Sequence, residues 1–171
     1  TYGVIDEGAI AQPIVPPVDV FPQFGGLEIT TSSTALQALT DAVIYLVSYP
    51  FECSEQLASR ILAIAALRDV LEAFQAEGLP PAAELDAAAA RDIALLEALQ
   101  NDDGGFPVWT RGRESWPFHT IHAAHSLARA REKDYSVNEE TVQRALAYLR
   151  EIERHYPHWY SREVRQTLTS Y

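Results

Sequence analysis

The sequence contains no methionine, a single cysteine and no run of basic residues. One cysteine, Cys53, excludes any disulfide within the chain. Lys and Arg together number 13 against 24 Asp and Glu, so the formal net charge is −11 at pH 7. Nucleic acid and anionic membrane surfaces are repelled by such a balance. No apolar stretch approaches the roughly 20 residues needed to span a bilayer. Residues 1–30 lack the charged start and apolar centre of a secretory signal. A chain that opens on Thr1 and has no Met is expected to be a processed product or a piece of a longer protein, whose own targeting these residues do not report.

What is present is a chain of 171 residues, 47% of them hydrophobic. That argues against disorder and suits one domain, of a size that buries roughly 70% of its unfolded surface. Residues 1–31 stand apart in composition. Pro13, Pro16, Pro17 and Pro22 oppose any helix, and Gly25-Gly26 marks a turn. Ile14-Val15 and Leu27-Glu28-Ile29-Thr30 read as short extended pieces, so 1–31 is expected to be an extended linker from a preceding domain.

Residues 32–171 predict helices throughout, with no competing strand pattern. Ser32 or Ser33 can cap a first helix through about Ser48, with Leu36, Leu39, Val43, Leu46 and Val47 at helical spacing, and Pro50 stops it. A second runs from near Cys53 to Ala76 on Leu57, Ile61, Ile64, Leu67, Leu71 and Phe74, with Gly78 as its stop. Pro80-Pro81 open a third, through about Gln100. Asn101 to Gly105 must turn, and 106–116 look irregular. Further helices are expected from Pro117 to near Lys133, from Asn138 to about His155, and from Ser161 onward. The second and third carry apolar or Ala residues on more than one face, as helices covered on both sides do. Short connections favour antiparallel hairpins, hence an all-α layered array.

The chemistry centres on Cys53 and Gln56. Placed one helical turn apart, they share a face. A thiolate attacking the Gln carboxamide carbon, with loss of ammonia, closes a thioester, and helix N-terminal amides favour both the thiolate and the oxyanion formed on the way. Such an acyl group hydrolyses unless shielded, which makes Tyr49 and Phe51 upstream, and Trp109 and Trp116 further off, the candidate covers. Cys-x-x-Gln alone is a weak signal, and a lone Cys is commonly just a small buried hydrophobe.

Its surroundings sharpen it. Tyr-Pro-Phe-Glu-Cys-Ser-Glu-Gln-Leu-Ala-Ser-Arg, Tyr49 to Arg60, resembles the thioester segment of bacterial alpha-2-macroglobulins, whose pattern is Tyr-Pro-x-x-Cys-x-Glu-Gln followed by Ser-Arg. Gly25-Gly26-Leu27-Glu28 and Ser32-Ser33 are similar to the family's approach to its first toroid helix, Asp103-Gly104-Gly105-Phe106 with Trp109 resembles a loop of α/α toroids, and His122 to Leu149 resembles the next helical pair. The resemblance implies an α/α toroid of about six hairpins, of which 32–171 would supply the N-terminal part as about six helices. It implies an endopeptidase trap that is not a turnover enzyme: cleavage of a bait region exposes the thioester, and an amine or hydroxyl of the protease is acylated. Carried onto this chain, Cys53 is the thiol leaving group, Gln56 the acyl donor, Glu55 the motif's acidic position and Tyr49 the shielding aromatic. Partners would be endopeptidases and other domains of the same parent chain. No cofactor is implied, and a lipid-tethered parent in the periplasm or cell envelope is expected. Two departures stand out. Many members place Gly before the Cys, where this chain has Glu52, and no residue here matches the His that tunes nucleophile choice in thioester complement proteins.

Other features read more plainly. His119, His122 and His125 suggest a metal site, but positions i and i+6 on a helix diverge by about 120°, and no Cys pair or carboxylate stands at ligand spacing. Hydrogen-bonded histidines lining the array are expected instead. Asp102-Asp103-Gly104 lacks the alternating ligands and closing Glu of a calcium loop. Trp109, Trp116, Tyr156, Trp159 and Tyr160 suit packing, and Arg129 to Asp134 a solvated helix end. Competing readings are a toroid enzyme of the terpenoid cyclase or prenyltransferase type, whose Asp-rich or zinc motifs are missing, and a helical interaction domain in which no thioester forms. Cut from neighbouring hairpins, the piece is expected to self-associate through uncovered apolar surface.

Overall fold

The computed structural model describes residues 36–73 and 80–171, together with residues 7–9, 11, 13–15, 18–19, 21, 23–26 and 29. Contacts divide the chain into Thr1–Thr31 and Ser32–Tyr171. The expected cap at Ser32 or Ser33, the apolar position Phe74, the stop at Gly78 and most of Leu27–Thr30 lie outside the described residues.

In the first unit, the described residues form bends and turns without regular elements. The Phe24 amide donates to the Phe21 carbonyl at 3.0 Å, and the two rings meet edge to face. Ile14, Val15, Val18, Phe21 and Phe24 are exposed.

The second unit is all-α. Its described elements are α1 (Leu36–Ser48), α2 (Ser54–Ala73), α3 (Ala82–Leu99), α4 (Pro117–Glu132), α5 (Glu139–Arg150), a 3-10 turn (Ile152–His155) and α6 (Arg162–Ser170). No strand occurs among the described residues. The helix ends follow local chemistry. Pro81 precedes α3, whose first amides cannot find intrahelical partners. Pro117 opens α4 and Arg129 and Arg131 sit in its last turn, where cations oppose the carbonyl end of the helix dipole. Asn138 caps α5 by accepting from the Glu140 amide at 2.8 Å, and Ser161 caps α6 by accepting from Val164. The helix expected to reach His155 stops at Arg150. There the chain tightens into the 3-10 turn, which lays the His155 ring on Tyr148 with centroids 3.7 Å apart.

α2 is the central helix and packs on α1, α3 and α4. Its pairing with α3 is antiparallel: Leu57 clusters with Ile93 and Leu96, Arg60 bonds Asp92, and Ile64 packs on Leu85 and Ala89. Its pairing with α4 runs the same way as the chain, since Ser54 meets His119 and Ser59 meets His122. The main core joins Leu57, Ala58 and Ile61 of α2 to Ile93 and Leu96 of α3, Phe106, Ala123 and Leu127 of α4, and Ala145 of α5. Small Ala residues at these crossings let the helices approach closely.

The irregular stretch after α3 is firmly held. Gly104 adopts φ +85°, and the Asn101 amide donates to Gly105 while the Gly104 amide donates to Asn101. The Asn101 side chain donates to the Arg113 carbonyl at 2.7 Å and accepts from the Gly112 amide. Phe106, fully buried, donates its amide to Thr120 Oγ1 and accepts from the Trp116 amide. These bonds fix the loop's two ends on α4 and leave the carbonyls of Pro107 and Val108 facing the start of α2.

Candidate functional site at the start of α2

Pro50 ends the possibility of a continuous helix, and the chain restarts three residues later. The Cys53 carbonyl accepts from the Leu57 amide at 3.0 Å, so Cys53 is the N-cap residue of α2 and Gln56 occupies the third helical position. A side chain at that third position reaches back over the N-cap, as in capping boxes. Cys53 is buried and carries a free thiol, and Gln56 is half-buried.

The loop after α3 grips this turn. The Ser54 amide donates to the Val108 carbonyl at 2.9 Å, and the buried Ser54 hydroxyl donates to the Pro107 carbonyl at 2.6 Å. With its proton so used, Ser54 Oγ accepts from His119 Nδ1 at 2.9 Å, which assigns the Nδ1–H tautomer to His119.

A second chain of bonds begins at Gln56. Its Nε2 donates to Glu55 Oε2 at 2.6 Å. Ser59 donates to the other oxygen, Oε1, at 2.8 Å. Ser59 Oγ then accepts from His122 Nε2 at 3.0 Å, and His122 Nδ1 accepts from the Tyr171 hydroxyl at 3.0 Å. Phe118 stacks on the His122 ring, nearly parallel at 9°. Burial lowers the pKa of both His119 and His122 below 6.5. For each, the Glu55 charge opposes the shift, and a neighbouring histidine adds to it: His122 for His119, His125 for His122. Both imidazoles are therefore neutral at pH 7, and for His122 the accepting Nδ1 requires it.

On the opposite side, Arg60 organises the loop before Cys53. Its Nε and Nη2 grip the two oxygens of Asp92 at 2.7 and 2.9 Å, and Nη1 donates to the Tyr49 carbonyl at 3.1 Å. Glu52 closes the network, 3.5 Å from Arg60 and 3.7 Å from Arg91. The residue that departs from Gly in the motif thus has two cationic partners. Tyr49 meets Phe51 and Tyr45 ring to ring at 5.5 and 5.6 Å.

Of the residues singled out by sequence, Tyr49, Cys53, Glu55 and Gln56 lie on one turn and the loop entering it. The distal aromatics stand differently: Trp109 is exposed, and Trp116 packs edge to face on Trp159. Sequence reasoning passed over Ser54, Ser59, His119 and His122 as site residues. A signal existed, because the histidines recur every three residues on α4, and the spacing predicts hydrogen-bonded histidines there, as His119 and His122 are, but it does not name their partners on α2. No group of three metal-binding side chains occurs among the described residues.

No protein-family profile matches the chain. Among curated proteins, the chain is 34% identical over 145 residues to circularly permutated Ras protein 2 of Dictyostelium discoideum, a match covering 80% of this chain and 4% of that protein. It is 30% identical over 132 residues to the alpha-2-macroglobulin of Rickettsia conorii, covering 77% of this chain and 7% of that protein. Among solved structures, Salmonella alpha-2-macroglobulin reacted with methylamine matches with a TM-score of 0.61 and 27% identity, over 76% of this chain and 9% of that one. The matched region therefore spans less than a tenth of each of these three proteins.

Proposed function

Since the chain belongs to the bacterial alpha-2-macroglobulin family, we propose that it is part of the thioester domain of a protease-trapping protein. Cys53 and Gln56 are its cross-link. The observation that carries this reading is the placement of a buried Cys53 at the N-cap of α2 with Gln56 one turn on, inside a motif of the family's pattern. The thiolate adds to the Gln56 carboxamide carbon, the C–N bond breaks, and nitrogen leaves with the thiol proton as ammonia. The N-terminal end of the α2 dipole favours both anions, although the Ser54 amide is already given to the Val108 carbonyl. Aminolysis by a Lys of the captured endopeptidase, or attack by a hydroxyl, then transfers the acyl group from sulfur and frees the Cys53 thiol. Each chain reacts once and is not a catalyst.

Tyr49, held through its carbonyl by Arg60 and in ring contact with an exposed Phe51, shields the bond from water. Residues 1–31 are a linker from a preceding domain, and 32–171 are the N-terminal part of an α/α toroid completed by further hairpins of the parent chain. That parent works in the periplasm or cell envelope, tethered by lipid. That a relative in Salmonella was reacted with methylamine supports an amine as the nucleophile.

Intact-mass spectrometry and thiol titration of the full-length protein that carries this chain test the proposal. A closed bond leaves the protein lighter by one ammonia and without a titratable Cys53. Methylamine then adds to Gln56 and frees one thiol. A full-length protein with a titratable Cys53 and the full calculated mass before any treatment refutes the covalent step and leaves a helical interaction domain.

A further inference from the structure

We propose that Ser59 and His122 are positioning residues that aim the Glu55 carboxylate at the nitrogen entering or leaving the Gln56 acyl carbon. This rests on the thioester reading. The Gln56 carboxamide has the same atoms as the amide formed when an amine has attacked, so Nε2 stands in for the nucleophile's nitrogen. Glu55 Oε2 lies 2.6 Å from it, within reach of a proton that this nitrogen must lose.

The carboxylate does not hold that aim alone, because its last torsion is soft. Ser59 fixes it by donating to Oε1, and His122 fixes Ser59: with Nε2–H donating to Oγ, the hydroxyl proton is left for Glu55. Phe118 stacked on one side and the Tyr171 hydroxyl on Nδ1 hold the imidazole in turn. In the acylation step the amine nitrogen bonds to the Gln56 carbonyl carbon. The C–S bond breaks with its electron pair kept by sulfur. The proton surrendered by nitrogen goes to Glu55 Oε2 and from there to the Cys53 thiolate. Ring closure is the same step reversed, with Glu55 handing the thiol proton to departing ammonia.

The groups around His122 give the arrangement a pH signature. Glu55 faces it from α2, Tyr171 from beyond α6, and His119 and His125 flank it on α4. Protonated His122 donates from Nδ1 to the Tyr171 hydroxyl instead of accepting from it, and sets a positive charge near Glu55, making the carboxylate a poorer base. Coupling per unprotonated amine falls as His122 charges.

The test is the rate of methylamine coupling to the full-length protein, followed by thiol release across pH and normalised to free amine. Mass spectrometry first verifies the closed bond in each variant. Glu55→Gln should slow coupling about 100-fold and Ser59→Ala about tenfold, since only aim is lost in the second. Ser59→Thr, which keeps the hydroxyl, should restore the rate. His122→Gln, which keeps an N–H donor but cannot charge, should move the acid-side inflection to lower pH, where only loss of the carboxylate base remains. Ser59→Ala coupling at the wild-type rate, or His122→Gln leaving the inflection where the wild type has it, overturns the proposal. Should Ser59→Ala arrive with its bond unclosed, the His122→Gln profile decides alone. A wild-type protein with no closed bond defeats the thioester reading itself and this inference with it, an outcome told apart by mass before any amine is added.

Discussion

Arg60 and Asp92, 32 positions apart, form a two-pronged ion pair in which both side chains are all but inaccessible to water. The pair joins α2 to α3, and its spare donor holds the Tyr49 carbonyl. The half-exposed Arg91 also donates to Asp92 Oδ1 at 2.8 Å, but Arg60 is the buried cation, and removing Asp92 takes away its two-pronged partner. Asp92→Ala should lower stability by about 3–5 kcal/mol in urea denaturation. A loss under about 1 kcal/mol would mean that water reaches Arg60 and that the pair is not the anchor of the Tyr49 loop.

Glu52 touches the same network from its rim. Its carboxylate is about half exposed and stands 3.5 and 3.7 Å from its partners, the geometry of a surface pair. Such pairs contribute about 0–1 kcal/mol and weaken with salt. Glu52→Gly, which restores the residue usual at this position of the motif, should therefore cost less than about 1 kcal/mol beyond the penalty of a new Gly, and that excess should shrink in 1 M salt. A cost rivalling Asp92→Ala would show that Glu52 is part of the buried anchor.

His119 and His122 set the acid response of the helical unit. Each has a folded-state pKa below the 6.5 of the unfolded chain, burial being the main cause. Well above pH 6.5 both states are neutral there and the histidines contribute no slope. Below it the unfolded chain takes up protons that the folded one refuses, so stability falls with pH until the folded pKa is passed. The melting temperature should decline from about pH 6.5 downward, and His119→Gln with His122→Gln should flatten that limb. An unchanged slope in the double variant would place the acid sensitivity elsewhere.

Much of this was legible in the sequence, and the reason is local. Pro50, Pro81 and Pro117 punctuate helices whatever surrounds them, and Asn138 caps α5 from two residues away. Cys53 and Gln56 are three residues apart, so a single helical turn fixes their relation. What the sequence hid depends on distance along the chain. Ser54 and Pro107 are 53 positions apart, and Ser59 and His122 are 63 apart. Those pairings follow from the direction in which α4 crosses α2, which no periodicity reports. His155 is a second kind of miss, since its helical pattern runs on while the backbone tightens and its ring stacks on Tyr148.

The Gly104-Gly105 pair offers the sharpest check on how the loop after α3 supports the site. At Gly104, φ is +85° and an added Cβ would lie 2.3 Å from the Arg144 carbonyl oxygen, a backbone atom of α5 that cannot turn away. At Gly105 the same addition would come within 2.6 Å of Ser115 and of the Tyr148 ring, itself buried and stacked on His155. Gly112 is the control: its φ is also positive, +88°, but the space around it is open. Gly112→Ala should cost only the strain of a left-handed Ala, about 1–2 kcal/mol. Gly104→Ala carries that strain and a collision, adding about 1–3 kcal/mol more. Gly105→Ala carries the collision alone. Because Pro107 and Val108 follow directly and hold Ser54, the two damaging variants should also speed hydrogen exchange at the Ser54 amide, whereas Gly112→Ala should not. Equal melting temperatures for Gly104→Ala and Gly112→Ala would mean that the loop does not press on α5 and that the first turn of α2 is held by its own helix alone.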